Sequence, residues 1–426
     1  MNVLPESARV EGGRLVLGGI PAADLAAEFG TPLYVYCSQT LRQRSAAFVE
    51  ALDSYPGPAR AVFACKANAT VAVLAEVFAQ GLGADVATEG ELAAALRAGG
   101  RPELMVVHGN NKSDADIRRA VLAGAGLIVV DHAGELDQVE AMAAESGVVQ
   151  WVAVRITPGI VADTHAKIVT GHDTSKFGLA PPDALDALDA AGALPHLEPA
   201  GLHVHVGSQI RDLGTYERVA DWLVELISEH GLGDLPLLDL GGGFGIAHSE
   251  REIELPVPDA VEALVLHVAE RLIAHGLPLP ELLLEPGRSI AGPAGVTLYT
   301  VGAVKSTAGG ITYAAVDGGM SDNPRPALYG ARYDAIVCDR ADDPPSTTYA
   351  IAGKHCESGD VLIEAVDLPE LRTGDVLATP ATGAYAASMA STYNLVPRPA
   401  AVMVDGGRAR LAQRRETVRD LLAREL

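Results

Sequence analysis

Lys66 stands at the end of a short apolar run, Val62-Phe63-Ala64-Cys65, and is followed by Ala67-Asn68. A lysine at the carboxyl end of a strand points its amine into the space beyond the sheet, where the active sites of (β/α)₈ barrels lie. An amine in partly desolvated surroundings loses its proton readily and condenses with an aldehyde to a Schiff base. Other polar residues close later apolar runs. They are Asp85, His108, Arg155, His205 with Ser208, the glycine run 241–245, and Glu285-Pro286-Gly287-Arg288. Consecutive glycines after a strand leave backbone N–H groups free to surround an anion, and phosphate sites in such barrels follow strands seven and eight. Gly242, Gly243 and Gly287 are therefore candidates for a phosphate cradle, with Ser208 as a further donor and Arg288 for either phosphate or a substrate carboxylate. A Schiff-base lysine, a phosphate cradle and an opposed carboxylate together describe a site for pyridoxal 5'-phosphate. Glu285 would keep the pyridine nitrogen protonated, and His205 would stack on the ring. Taken singly, Ser208 reads sooner as a cap, His205 as a core histidine and Glu285 as an ion-pair partner of Arg288; the set carries the assignment.

Elements must exist to bring these residues together. Short apolar runs at 61–64, 84–87, 104–108, 127–130, 151–156, 202–206, 237–240 and 282–284 alternate with Ala-rich, helix-like stretches. The first five recur about every twenty to twenty-five residues, as βα units of a barrel do. Before the sixth lies a turn-rich segment, 163–178. After Pro286 the runs at 295–300, 311–316 and 349–351 are short, β-branched and broken by Gly, Pro and Asp, which reads as antiparallel β structure. The expected class is α/β, a (β/α)₈ TIM-type barrel over 31–285 with a mainly antiparallel β domain formed by 1–30 and 286–426.

The chain has 426 residues, enough for two domains, and 48% of them are hydrophobic. A formal charge of −23 sets it against phosphate backbones and excludes nucleic acid as an expected partner. Cys37, Cys65, Cys338 and Cys356 form no CxxC pair, and no histidines fall at zinc spacing, so reduced thiols and no metal are expected. No run is long and apolar enough for a bilayer, and the N-terminus lacks the pattern of a signal peptide, which points to the cytoplasm and away from a membrane.

Longer segments carry a resemblance. Phe63-Ala64-Cys65-Lys66-Ala67-Asn68, Ser175-Lys176-Phe177-Gly178, Gly201-Leu202-His203-Val204-His205-Val206-Gly207-Ser208-Gln209, the 241–245 loop and Glu285-Pro286-Gly287-Arg288 come first. Asp317-Gly318-Gly319-Met320, Arg325-Pro326-Ala327-Leu328-Tyr329, Cys356-Glu357-Ser358-Gly359-Asp360, Gly383-Ala384-Tyr385 and Tyr393-Asn394 follow. In this order they resemble the diaminopimelate decarboxylase family of the alanine-racemase-like (fold type III) pyridoxal phosphate enzymes. Ala69-Thr70 stands where many relatives have Ser-Asn. The resemblance implies decarboxylation of meso-2,6-diaminopimelate to L-lysine and CO₂, the last step of lysine biosynthesis. It implies Lys66 as the Schiff-base lysine, Asp85 and His205 beside the cofactor, and Cys356 as proton donor. Cys356 and Glu357 would reach the active site of a partner subunit, giving a homodimer with two shared sites. Arg325, Tyr329 and Glu357 would read the far end of the substrate, and Tyr385 would touch substrate and cofactor. Rival readings are a decarboxylase of ornithine, lysine or arginine, an amino-acid racemase, an inactive regulator and a cofactor-free lysine aldolase. Relatives acting on bare cationic tails carry a Cys-Asp-Gly-like motif where this chain has Cys356-Glu357-Ser358.

Overall fold

A computed structural model describes residues 3–159 and 175–426, so most of the turn-rich segment 163–178 lies outside the described residues. The chain divides into two compact units. One comprises Arg44–Gly245 and Glu254–Ser289, the other Met1–Gln43, Ile246–Ile253 and Ile290–Leu426.

The first unit is a closed barrel of eight parallel strands. They are Ala59–Ala64, Gly83–Val86, Met105–Val107, Leu127–Val130, Gln150–Arg155, Leu197–His203, Leu237–Asp239 and Glu281–Leu284. Leu282 against Ala59 closes the ring. The strands are almost continuously apolar because both faces are covered, and no polar face needs to alternate with an apolar one. Val62, Val106, Leu127, Val129, Ala153, Ala200, Leu237 and Leu283 form one buried cluster from seven of the strands. Helices follow in turn, and some carry clear start signals. Thr88 accepts from the Glu91 amide to cap Glu89–Arg97, and Ser113 with Asp116 forms a capping box for Asp114–Ala123, which ends on a left-handed Gly124. Leu213–Glu229 buries Val219, Leu223, Val224 and Ile227 along one stripe.

The sixth strand departs from the expected 202–206. It begins at Leu197 and ends at His203, with its register shifted between Pro199 and Gly201. Glu198 and Pro199 hide the start of this strand from a search for apolar runs, and the irregularity accommodates a residue that cannot donate to the ladder. His205 and Ser208 consequently sit in the loop after the strand.

The second unit holds a nine-stranded mixed sheet whose central member is the 12-residue strand Gly295–Ser306. That strand pairs antiparallel with Leu33–Cys37, Thr312–Val316 and Val376–Thr379. Two pairings in the sheet are parallel and the rest antiparallel. Within 1–30, expected to join the β domain on the strand-like run 15–17, the strand Arg14–Leu17 lies between Arg9–Glu11 and Ile20–Pro21 in a separate three-stranded sheet. The expected barrel span of 31–285 includes Leu33–Cys37 and Ile246–Ile253, both of which belong to this unit. Leu33–Cys37 pairs on one side with Gly295–Ser306 and on the other with Ala400–Asp405, so it is a central strand here.

Asp322 lies at the core of this unit. Its carboxylate accepts from the Tyr299 hydroxyl at 2.5 Å and the Gly319 amide at 2.7 Å. Burial pushes its pKa up to about 7, against the pull of those hydrogen bonds. The folded state therefore holds a proton that the unfolded chain releases near pH 4, and the stability gained is complete below that pH and lost as pH rises through about 7. Relative to an Asp322→Asn variant, the parent should lose on the order of a few kcal/mol between those limits in denaturant unfolding. A gap between the two that stays constant with pH removes the assignment.

Candidate active site

The sequence-singled residues of the barrel unit gather at the carboxyl ends of its strands. Lys66 lies in the single 3₁₀ turn Cys65–Ala67 directly after strand one, its side chain about half exposed. Its Nζ stands 3.7 Å from Oδ2 of Asp85, a residue of strand two that is almost fully buried. His108 is the first residue beyond strand three, and its Nε2 meets Oε1 of Glu285 at 2.5 Å. His203, the last residue of strand six, brings its Nε2 to 3.5 Å from the other Glu285 oxygen. Asp239 ends strand seven and accepts from the Gly241 amide at 2.8 Å. Arg155 ends strand five, 3.8 Å from Asp131 and with its guanidinium 4.5 Å from the centre of the Phe177 ring.

The glycine loop is held tightly. Gly243 accepts from the Ile210 amide and Gly245 donates back to Ile210, so the loops after strands six and seven pair with each other. Tyr216 donates to the Gly242 carbonyl at 3.2 Å and stacks on Phe244. Side chains are excluded here by space. A Cβ on Gly242 would stand 2.1 Å from the Glu285 carbonyl oxygen, and one on Gly243, where φ is +99°, 2.3 Å from that of Gly207. Gly287 packs in the same way against Ala64 and Ala67 beside Lys66. Arg288 donates to the Ser208 hydroxyl at 3.0 Å, which sets a guanidinium and a hydroxyl side by side.

Burial dominates the electrostatics. It drives the pKa of His203 down to about 3 and that of His205 well below its ordinary value, in the latter case with help from Lys66. Both imidazoles are neutral, and His205 Nδ1 accepts the Gly242 N–H at 3.3 Å. Burial pushes the Glu285 carboxyl up, but His108 and then His203 outweigh it and hold the group well below its usual range. Asp85 is raised by burial in spite of Lys66 and His108, and Asp239 is raised well above normal by burial and by Glu285.

The remaining predicted residues lie in the second unit. Arg325 begins a short helix, Arg325–Tyr329, and is buried, so the surface ion pair that is the ordinary reading of such an arginine does not apply. Its Nη1 lies 2.7 Å from His248 Nε2 and 2.6 Å from the Tyr333 hydroxyl. Cys356, Glu357 and Ser358 are exposed, and the Cys356 amide donates to Asn394 Oδ1 at 3.0 Å. Asn394 holds a left-handed backbone there, as does the half-buried Tyr385. Beside the cysteine, buried Asp360 accepts from the amide and ring of His355 through Oδ2 and from the Met320 amide through Oδ1.

A lysine amine 3.7 Å from a buried Asp85 oxygen that accepts no hydrogen bond, an anion cradle closed to any Cβ and a buried ionised glutamate fit pyridoxal phosphate. The family model for the pyridoxal-dependent decarboxylase, pyridoxal binding domain, matches residues 38–292. The diaminopimelate decarboxylase of Mycobacterium tuberculosis is 43% identical over 440 residues, spanning 100% of this chain and 98% of the relative. That of Bacillus subtilis is 42% identical over 419 residues, spanning 97% and 95%. A crystal structure of diaminopimelate decarboxylase from M. jannaschii in co-complex with L-lysine matches with a TM-score of 0.92 at 31% identity, covering 99% of this chain and 98% of that one. The chain belongs to the diaminopimelate decarboxylase family. Like the family, it is a pyridoxal-phosphate-dependent carboxy-lyase. Among the described residues no helix is long and apolar enough to cross a membrane.

Sequence reasoning missed His203 and Asp239, two residues that cluster with Glu285. The signals were present, since His203 and His205 share one side of an extended segment and Asp239 is a lone charge in Leu237-Leu238-Asp239-Leu240. The expectation that no histidines cluster came from spacing along the chain. In space, ligand-capable atoms of His108, His203, Asp239 and Glu285 lie within 4.8 Å of one another, drawn together by four different strand ends.

Proposed function

We propose that the chain decarboxylates meso-2,6-diaminopimelate to L-lysine and CO₂, the last step of lysine biosynthesis, in the cytoplasm. The buried, ionised Glu285, paired with His108 at the strand ends, carries this reading, together with identity to diaminopimelate decarboxylases along the full chain. When bound, pyridoxal phosphate supplies an electron sink for the bond that releases CO₂. Lys66 holds the cofactor, with Asp85 beside its amine. Glu285 keeps the pyridine nitrogen protonated, whereas the arginine that racemases of this fold use there would weaken the sink. Neutral His205 would stack on the cofactor ring. Gly242, Gly243, Gly287 and Ser208 bind phosphate, and the pairing of Arg288 with Ser208 favours phosphate over substrate for that arginine. Tyr385 contacts cofactor and substrate.

Cys356 Sγ returns a proton to the carbon that has lost CO₂. Its exposed segment supports donation, with Glu357, to the site of a second copy, making a homodimer with shared sites. Arg325 binds the distal carboxylate, Glu357 the distal amine, and Tyr329 adds a hydrogen bond. All four cysteines are free thiols, in keeping with a reducing compartment.

The test is CO₂ release by cofactor-loaded protein given meso-diaminopimelate, LL-diaminopimelate, ornithine, lysine and arginine in parallel. Turnover confined to the meso compound, with lysine as product, is the expected result; turnover of ornithine or arginine overturns the substrate assignment. Arg325→Ala should lower kcat/KM for diaminopimelate by about 10- to 100-fold while cofactor content is kept, the scale of a lost hydrogen bond to a charged group. Unchanged kinetics in that variant would remove Arg325 from the pocket.

A further inference from the structure

Among the described residues, five buried carboxylates stand at the carboxyl end of the barrel, and four have a nitrogen partner, Glu135 through Lys112 Nζ at 2.8 Å. Asp85 faces Lys66 Nζ at 3.7 Å, Asp131 faces Arg155 Nε at 3.8 Å, and Glu285 faces His108 Nε2 at 2.5 Å. Asp239 is the exception. It is fully buried, its Oδ1 accepts the Gly241 N–H, and its Oδ2 is buried with no hydrogen-bond partner. The ionisable groups clustered with it are His108, His203 and Glu285, all within 4.8 Å. His108 is committed to Glu285 and His203 is neutral, so no cation in that cluster answers a charge on Asp239. Two carboxylates this close in a low-dielectric site do not both ionise, and the proton stays on the one without a partner.

We propose that Asp239 is a positioning residue held as the neutral acid, whose Oδ2 proton is directed at the Glu285 carboxylate while Oδ1 anchors the glycine loop. Backbone hydrogen bonds complete the link, since the Glu285 amide donates to the Gly241 carbonyl at 2.9 Å and the Gly241 amide to Asp239 Oδ1 at 2.8 Å. One side chain thereby sets both the anion cradle and the carboxylate assigned to the pyridine nitrogen. This inference rests on the role of Glu285 given above.

A neutral acid and an amide offer the same pair of groups, one donor and one acceptor, whereas an ionised carboxylate does not. The holoenzyme should therefore lose less than about threefold in cofactor affinity on Asp239→Asn and at least about tenfold on Asp239→Ala, which strands the Gly241 amide and frees Glu285. Infrared spectra of the resting holoenzyme should contain a protonated-carboxyl C=O stretch that Asp239→Asn removes. Loss of affinity in the asparagine variant as large as in the alanine variant, or parent and Asp239→Asn spectra that match in that region, overturns the proposal. The infrared reading needs no turnover, so it separates failure of this inference from failure of the substrate assignment. It also stands if the alanine variant does not fold.

Discussion

Lys66→Ala is expected to lower diaminopimelate turnover on the order of 10⁴-fold or more, the scale on which loss of a covalent catalytic group acts. The fold should survive, because the side chain is half exposed and buried Asp85 keeps a second neighbour, His108 Nε2 at 3.9 Å. Borohydride treatment should trap cofactor on the parent and none on the variant. Mixing this variant with Cys356→Ala tests the shared site as well. If the cysteine serves the partner's site, random reassociation restores about a quarter of parent activity, since half the dimers then hold one intact site. A mixture as inactive as its components would place Lys66 and Cys356 in the same subunit's site. Full activity in Lys66→Ala alone would end the cofactor assignment.

Glu285→Gln should lower kcat by about 10²- to 10³-fold, the loss seen when a preorganised charge or donor is taken from a dry site. The absorption of the bound cofactor should shift with it, which a simple loss of packing would not cause. The same substitution has a stability signature. Glu285 has a folded pKa well below normal, so its contribution is present above the unfolded value of about 4.3 and is lost as pH falls through the folded one. At neutral pH the variant should unfold more easily than the parent, and the gap should narrow below about pH 4. A gap that widens in acid would mean that His108 does not hold Glu285 ionised.

The barrel was legible because each of its strands is a bounded apolar run, and both faces of a barrel strand are covered. Leu197–His203 was misread at its start since Glu198 and Pro199 interrupt the run. Leu33–Cys37 was assigned to the wrong unit for a different reason. A buried five-residue strand, Leu-Tyr-Val-Tyr-Cys, reads the same in a barrel as in an open sheet, and only its partners distinguish them. Lys66, Glu285 and the glycine loop could be found from position at a strand end. Asp239 and His203 also sit at strand ends, but which groups they meet follows from which strand ends converge, and convergence is a property of closure. Lys112 shows the limit plainly: its fully buried amine reaches Glu135 at 2.8 Å and the carbonyls of Gly109 and Val129, in a sequence context that reads as a surface loop.

The hydrogen bonds of Asp360 bear on how such enzymes can be recombined. One carboxylate holds both the turn that leads to Arg325 and the loop that carries Cys356 and Glu357. A chimaera whose crossover falls between residues 320 and 353 takes one half of that joint from each parent. The Met320 amide then meets a carboxylate shaped for another backbone, while His355 keeps its own Asp360. The segments that carry Arg325, Cys356 and Glu357 are therefore inherited as one cassette, and exchange of either between decarboxylases requires both to move together.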